Sequence, residues 1–134
     1  MSSTIQHEPP LRVLVVDDNR DAADVLCLLM SFWGHDARAA YDGASALQAV
    51  GEHPPDVILC DLGLPDMDAA ALAAQLGPVP ALVALTGYSD DAHRRTAAAA
   101  GFDPYLLKPC DPVALRELLN ALRRRGNGEP PRPH

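Results

Sequence analysis

Five short runs of mainly aliphatic residues recur along the chain, and their spacing predicts strands that alternate with helices. Four of the runs lack polar alternation, which is typical of parallel strands that are covered on both faces. The run at 36–40 is weaker and more polar, so it suits the exposed edge of a sheet. The predicted strands are Arg12–Val16, Asp36–Ala40, Val57–Cys60, Ala81–Leu85 and Tyr105–Leu107.

Helical patterns fill the segments between the predicted strands. The first and the last of them carry apolar residues at i, i+3, i+4 and i+7, which gives each helix one apolar stripe to dock on a sheet. The stripes consist of Leu26, Leu29, Met30 and Trp33, and of Leu115, Leu118, Leu119 and Leu122. Glycine, which adopts a left-handed conformation at low cost, follows five helical stretches at Gly34, Gly51, Gly77, Gly101 and Gly126.

Repeated strand-then-helix units require right-handed crossover connections and therefore predict an α/β fold with helices on both faces of a parallel sheet. The expected architecture is a doubly wound (βα)5 sandwich with five parallel strands in the order 2-1-3-4-5. Residues 11–125 form the predicted domain. Residues 1–10 and 126–134 are rich in proline and are expected to be flexible tails.

Composition and charge narrow the possibilities further. A chain of 134 residues with 48% hydrophobic but only 4% aromatic residues predicts one domain with an aliphatic core. A net charge of −7 argues against nucleic acid as a partner, and the cluster at 123–125 is interpreted as a solvated helix end. The five histidines are scattered and are predicted to lie at the surface.

The cysteines and the apolar segments bear on the compartment. Cys27, Cys60 and Cys110 have neither metal-site nor paired spacing, which indicates reduced thiols and a cytoplasmic location. No export signal is recognised at the start of the sequence, and no apolar run approaches the length of about 20 residues needed to cross a bilayer. Membrane insertion is therefore not expected.

Polar side chains follow four of the predicted strands. Asp17 and Asp18 come after the first, Asp61 after the third, Thr86 after the fourth and Lys108 after the fifth. Ligands of such sheets bind beyond the carboxyl ends of the strands, so these side chains are expected to meet there. Converging carboxylates repel one another unless a cation intervenes, and hard oxygen ligands suit Mg²⁺. Lysine and threonine would add a positive charge and a hydroxyl donor.

Four motifs in this order resemble response-regulator receiver domains of two-component signalling. The similarity covers roughly Leu11 to Leu122, and any one of its motifs alone would be weak evidence. The motifs are Val15-Val16-Asp17-Asp18-Asn19, Asp61-Leu62-Gly63-Leu64-Pro65-Asp66-Met67-Asp68, Leu85-Thr86-Gly87 and Lys108-Pro109. One departure is Ala69, which stands where receivers usually have glycine and puts the geometry of that loop in question.

The resemblance implies a role for each matching position. Asp61 would attack the phosphorus of a phosphohistidine, with Mg²⁺, or Mn²⁺ in its place, bound by Asp18, Asp61 and the Gly63 carbonyl and by Asp17 through water. Lys108 and Thr86 would bind the phosphoryl oxygens. The remaining implied features are inward movement of Thr86 and Tyr105 on phosphorylation and a cis peptide bond between Lys108 and Pro109. An edge-strand aromatic with its hydroxyl in water remains the alternative interpretation of Tyr105.

The function that the resemblance implies is a regulatory phosphoacceptor rather than an enzyme. Its partners would be a histidine kinase or a histidine phosphotransfer protein and a downstream protein target, with a homodimer possible. The domain would be either a freestanding regulator or the receiver module of a hybrid histidine kinase. Two alternatives are an adaptor that no longer takes phosphate and an aspartate-nucleophile phosphohydrolase, which normally has a second acid where this chain has Gly63.

Overall fold

The computed structural model describes residues 10–77, 81–87, 95, 98–102 and 105–126. Both predicted tails fall almost wholly outside these ranges. The predicted fourth helix also falls mostly outside them, although Arg95, Ala98 and Ala99 are helical.

Five parallel strands form one sheet in the order β2-β1-β3-β4-β5, which confirms the predicted α/β fold and strand order. Their bounds are β1 Arg12–Val16, β2 Asp36–Ala40, β3 Val57–Asp61, β4 Ala81–Thr86 and β5 Tyr105–Leu107. The helices that the described residues define in full are α1 Arg20–Phe32, α2 Gly43–Glu52, α3 Ala69–Leu76 and α4 Pro112–Gly126.

The helices cover both faces of the sheet, because alternate side chains of each central strand point to opposite sides. On one face, Val15 and Leu59 pack in a cluster with apolar residues of α1 and α4, among them Met30 and Leu119. On the other face, Val16 and Ile58 pack with residues of α2 and α3. Both sides of β1 and β3 are therefore buried, which explains their continuous aliphatic sequences.

Helix boundaries follow three of the five glycine signals, whereas Gly51 and Gly126 lie inside their helices. Gly34, Gly77 and Gly101 have φ values of 96°, 73° and 106°, a conformation that favours glycine. Gly51 lies inside α2, which continues to Glu52 and is capped by His53, so the predicted end at Gly51 was wrong. The helix-stop signal of a glycine is local, and intrahelical hydrogen bonding continued past it here.

Candidate functional site

The acidic end of β1 is held by hydrogen bonds with β2 and with the turn that precedes α1. The Asp17 amide donates to the Ala40 carbonyl at 3.0 Å, and Asp17 Oδ1 accepts from the Asn19 amide at 3.0 Å. Asn19 in turn caps α1, since its Oδ1 accepts from the Ala22 amide at 3.1 Å. The turn that begins α1 thereby fixes Asp17, which is only 1% exposed.

Asp61 ends β3 between β1 and β4, and its carboxylate has two donors. Asp61 Oδ1 accepts from the Gly63 amide at 3.1 Å and lies 3.2 Å from Lys108 Nζ. Both donors meet the same oxygen, so they hold Oδ1 of this carboxylate in place. The Asp61 side chain retains 14% exposure and is therefore accessible from the edge of the sheet.

Lys108 links the two acids across the sheet. Its Nζ lies 3.3 Å from Asp17 Oδ2 as well as 3.2 Å from Asp61 Oδ1. The Lys108 amide donates to the Thr86 carbonyl at 2.8 Å, and the Lys108–Pro109 peptide bond is cis. The two Nζ distances place this ammonium group over the ends of β1 and β3.

Two pKa values reflect this crowding. Burial raises the pKa of the Asp17 carboxyl, and the lowering by the Asn19 amide and by Lys108 does not offset it. Desolvation alone would lower the pKa of Lys108, but the carboxylates of Asp61 and Asp17 outweigh it, so this pKa lies above its ordinary value. The lysine therefore stays charged at neutral pH.

Three carboxylates converge where a cation could bind. One oxygen from each of Asp17, Asp18 and Asp61 can be chosen so that all three lie within 4.8 Å of one another. Mg²⁺ binds oxygens at about 2.0–2.1 Å in octahedral geometry, so opposite ligands are about 4.2 Å apart. The acids therefore lie close to the spacing that a magnesium site needs, and the increasing exposure from Asp17 to Asp61 to Asp18 leaves room for water ligands.

The two predicted switch residues lie on β4 and β5. Thr86 is 1% exposed, and its Oγ1 donates to the Gly87 carbonyl at 3.3 Å. Tyr105 is 49% exposed and pairs in register with Ala84. Thr86 follows Leu85, the residue of β4 that pairs with Asp61, so it lies next to the acidic cluster. On β5, the partner of Thr86 is Leu107, and Tyr105 lies two residues before that partner.

A cleft of about 690 Å³ opens beside Asp17 and Lys108. Its walls include Ala22 and Val25 of α1 and Pro109 from the loop after β5. Val25 is 62% exposed, so part of the rim is apolar and open to solvent. Sequence reasoning did not find this rim, because Val25 lies outside the apolar stripe of α1.

Comparison with known proteins identifies the family. The family described as response regulator receiver domain matches residues 13–120, which is most of the chain. The chain belongs to the response-regulator receiver family. A receiver domain is a regulatory phosphoacceptor of two-component signalling rather than an enzyme, and membership implies a kinase partner.

Sequence relatives are longer than this receiver domain. It is 37% identical over 123 residues to the DNA-binding response regulator MtrA of Mycolicibacterium paratuberculosis, covering 89% of this chain and 54% of that protein. It is 36% identical over 118 residues to the response regulator MprA of a Mycobacterium species, and the match covers 85% of this chain and 50% of that protein. The chain thus spans about half the length of these curated relatives.

Solved receiver structures have the same fold over nearly their whole length. The receiver domain of NtrX from Brucella abortus has a TM-score of 0.77 at 26% identity, covering 84% of this chain and 98% of that one. The receiver domain of the Francisella response regulator 1452 has a TM-score of 0.76 at 26% identity, covering 87% and 98%. The acidic cluster is of the type typical of receiver magnesium sites.

None of the described helices has the length and apolar character needed to cross a membrane.

Proposed function

We propose that Asp61 is the phosphoacceptor and takes its phosphoryl group from a phosphohistidine. The observation that carries the proposal is that Lys108 Nζ lies 3.2 Å from the Asp61 carboxylate while two further acids converge on the same point. A carboxylate oxygen would form a bond to phosphorus as the phosphorus–nitrogen bond of the donor breaks, and the electron pair would leave with the imidazole. Rate acceleration would then come from positioning and charge neutralisation.

Asp18, Asp61 and the Gly63 carbonyl would hold Mg²⁺ directly, and Asp17 would act mainly through water. Mn²⁺ would fit the same oxygen ligands. When bound, the ion would neutralise charge on the phosphoryl oxygens. Lys108 would also neutralise charge on these oxygens, and the amide of Gly63 would hold Oδ1 of the Asp61 carboxylate in place.

Thr86 and Tyr105 would report phosphorylation to the protein surface. Thr86 Oγ1 would exchange its bond to the Gly87 carbonyl for a phosphoryl oxygen, a contact that is stronger because the acceptor is charged. The half-exposed Tyr105 would then turn inward beside it. Phosphorylation would thus shift a population between two conformations by a local change of charge.

A histidine kinase or a histidine phosphotransfer protein would approach over the cleft beside Asp17 and Lys108. The exposed Val25 and Pro109 on its rim offer apolar contacts beside Asp17 and Lys108. A downstream protein, or a second copy of the domain, would recognise the changed surface near Tyr105. Nucleic acid is not a proposed partner of this domain because the net charge of −7 repels phosphate backbones.

Residues 11–125 would form the functional receiver unit, and the location would be cytoplasmic. Two settings fit equally, a freestanding regulator and the receiver module of a hybrid histidine kinase. Genes that adjoin the coding sequence would distinguish them.

Intact-mass measurement after incubation with Mg²⁺ and a small phosphodonor tests the proposal. We expect one phosphoryl adduct, located at Asp61 by peptide mapping, and none in the Asp61→Asn variant. In parallel, addition of beryllofluoride with Mg²⁺ should change the spectroscopic signal of the Tyr105 ring in the wild type but not in the Asp61→Asn variant. An unmodified wild-type protein, or an adduct elsewhere, would contradict the assignment.

A further inference from the structure

The loop between β3 and α3, residues 62–68, presents Gly63 to the acidic cluster. Gly63 is exposed, and a Cβ built there would meet only Asp61 Oδ1 at 3.9 Å, so no side-chain packing holds this residue. Its amide bonds Asp61, but the direction of its carbonyl depends on the path of the loop. Something further along the chain must therefore fix that path.

Asp66, three residues later, attaches the loop to the beginning of α2. Asp66 Oδ1 accepts from the Gly43 amide at 2.8 Å, and Oδ2 accepts from the Ala44 amide at 3.1 Å. Both amides belong to the first turn of the helix, where backbone donors lack intrahelical partners. Because each carboxylate oxygen has its own donor, the contact restricts the rotation as well as the position of Asp66.

Met67 adds an apolar contact at the same place. Its side chain lies so close to the backbone of Gly43 that a Cβ on that residue would fall 2.5–2.8 Å from Met67 Cγ, Sδ and Cε. Met67 also packs against the core cluster of α2 and α3. Two successive loop residues thus hold the same point of α2, one by hydrogen bonds and one by packing.

We infer that Asp66 is a positioning residue of the metal centre, which acts by fixing the loop that presents the Gly63 carbonyl. This inference rests on the proposed function. Asp66 itself lies outside the acidic cluster and would not bind the ion. Mg²⁺ demands near-octahedral geometry, so a small displacement of a ligand weakens its binding. Groups that orient metal ligands typically change metal affinity by about 10–100-fold when they are removed.

A matched variant separates this role from simple capping of the helix. Asp42 caps the same helix, since its Oδ1 accepts from the Ser45 amide at 2.7 Å, but it does not belong to the loop that carries Gly63. Asp66→Ala and Asp42→Ala each remove a carboxylate from one helix terminus. Asp66→Asn keeps a single acceptor oxygen and should restore part of the function of Asp66.

Calorimetric titration of the unphosphorylated chain with Mg²⁺ alone, together with thermal unfolding, measures both effects. We expect Asp66→Ala to raise the Mg²⁺ dissociation constant by about tenfold, Asp66→Asn to raise it less, and Asp42→Ala to leave it within about twofold despite a similar loss of thermal stability. Equal dissociation constants for Asp66→Ala and Asp42→Ala would overturn the inference. If Asp66→Ala does not fold, an unchanged dissociation constant in Asp66→Asn would overturn it. A wild-type chain that binds no Mg²⁺ would instead contradict the proposed function.

Discussion

The carboxyl edge of the sheet gathers Asp17, Asp61 and Lys108 around one point, whereas at the amino edge two polar side chains each bind one backbone amide of the β1 segment. There, His35 Nδ1 accepts from the Leu11 amide at 3.1 Å, and Asp56 Oδ2 accepts from the Arg12 amide at 2.8 Å. The amino-edge contacts hold β1 in place. The carboxyl edge instead concentrates like charges that a structural role alone would not need.

The difference teaches that polar groups on one sheet can have opposite effects on stability. A buried side chain that accepts one hydrogen bond stabilises the fold, and its removal leaves an unsatisfied donor. Three acids that share one pocket repel one another, so they lower the stability of the fold while they provide the groups that a functional site needs. Four substitutions would test this contrast.

The largest effect is expected from Asp61→Asn, which removes the proposed nucleophile of the carboxyl edge. Phosphorylation by a small phosphodonor should fall by at least about 1000-fold, because removing a nucleophile eliminates the covalent step. Incorporation of labelled phosphate measures it. Asp56→Asn at the amino edge is the matched control and should remain phosphorylated at the wild-type rate; equal losses in both variants would abolish the distinction between the edges.

Lys108→Met is expected to slow phosphorylation by about 100-fold, the usual consequence of losing one group that stabilises developing charge. The ammonium lies within 3.3 Å of both Asp17 and Asp61, so its charge acts at the reacting centre. Single-turnover kinetics with saturating phosphodonor would give the rate. Arg116→Met removes a cation of α4 that lies over the ring of Trp33, at the end of α1, and should leave the rate unchanged.

At the amino edge, His35→Ala should lower the free energy of unfolding by about 2 kcal/mol at pH 8, because the Leu11 amide loses its acceptor. Burial, followed by the charges of Arg123 and Arg116, lowers the pKa of His35 below its ordinary value of 6.5. The folded state therefore favours the neutral ring, and this contribution to stability is complete above pH 6.5 and is lost as the pH falls toward the folded pKa. Urea unfolding at several pH values measures both effects.

The control for this prediction is His53→Ala, which changes an exposed histidine at the end of α2. Its free energy of unfolding at pH 8 should differ from that of the wild type by at most about 0.5 kcal/mol, because substitutions of exposed side chains usually have small effects. If the wild type and His35→Ala lost stability in parallel on acidification, the neutral His35 ring could not be the group responsible.

The smallest expected effect has the opposite sign. Asp17→Asn should raise the free energy of unfolding by about 1 kcal/mol at pH 7 without divalent ions, because it removes a buried charge at a functional site. The pKa of Asp17 in the folded state is raised above its ordinary value of 3.8. The loss of stability caused by the charged carboxylate therefore develops as the pH rises from 3.8 to the folded pKa, and it is absent below pH 3.8. Thermal unfolding with and without Mg²⁺ is the measurement.

In the same experiment Mg²⁺ should stabilise the wild type, since a ligand that binds the folded state raises the unfolding free energy, and should stabilise Asp17→Asn less. A destabilised Asp17→Asn variant in the absence of divalent ions would show that the carboxyl edge, like the amino edge, is held together by its polar contacts.

Much of this architecture could be predicted from local patterns. The strands β1 and β3 could be predicted from their aliphatic runs, and the helices α1 and α4 from their apolar stripes. Such patterns indicate which side chains become buried. The end of α2 was misplaced at Gly51, since a glycine signal is weaker than continued hydrogen bonding. His35 was expected at the surface, yet it is 7% exposed. An isolated histidine carries no periodicity that would reveal its acceptor.

Asn19 and Asp66 show the same limit within the candidate site. Both belong to the motifs that resemble receivers, but their sequence positions do not reveal that one amide holds Asp17 or that one carboxylate binds the first turn of α2. Each hydrogen bond depends on where a turn places a side chain relative to a backbone donor. A helix-capping pattern could have suggested Asn19, whereas the partners of Asp66 lie more than 20 residues away.

The sequence by itself determined the elements, the parallel sheet and the edge at which the acids lie, because strand ends and alternation are local properties of the chain. Only the tertiary structure decided which oxygen of Asp61 meets Lys108, how the β3–α3 loop is tied to α2, and that His35 is buried. These contacts join residues far apart in sequence, and their distances depend on strand register and helix packing, which no local pattern specifies.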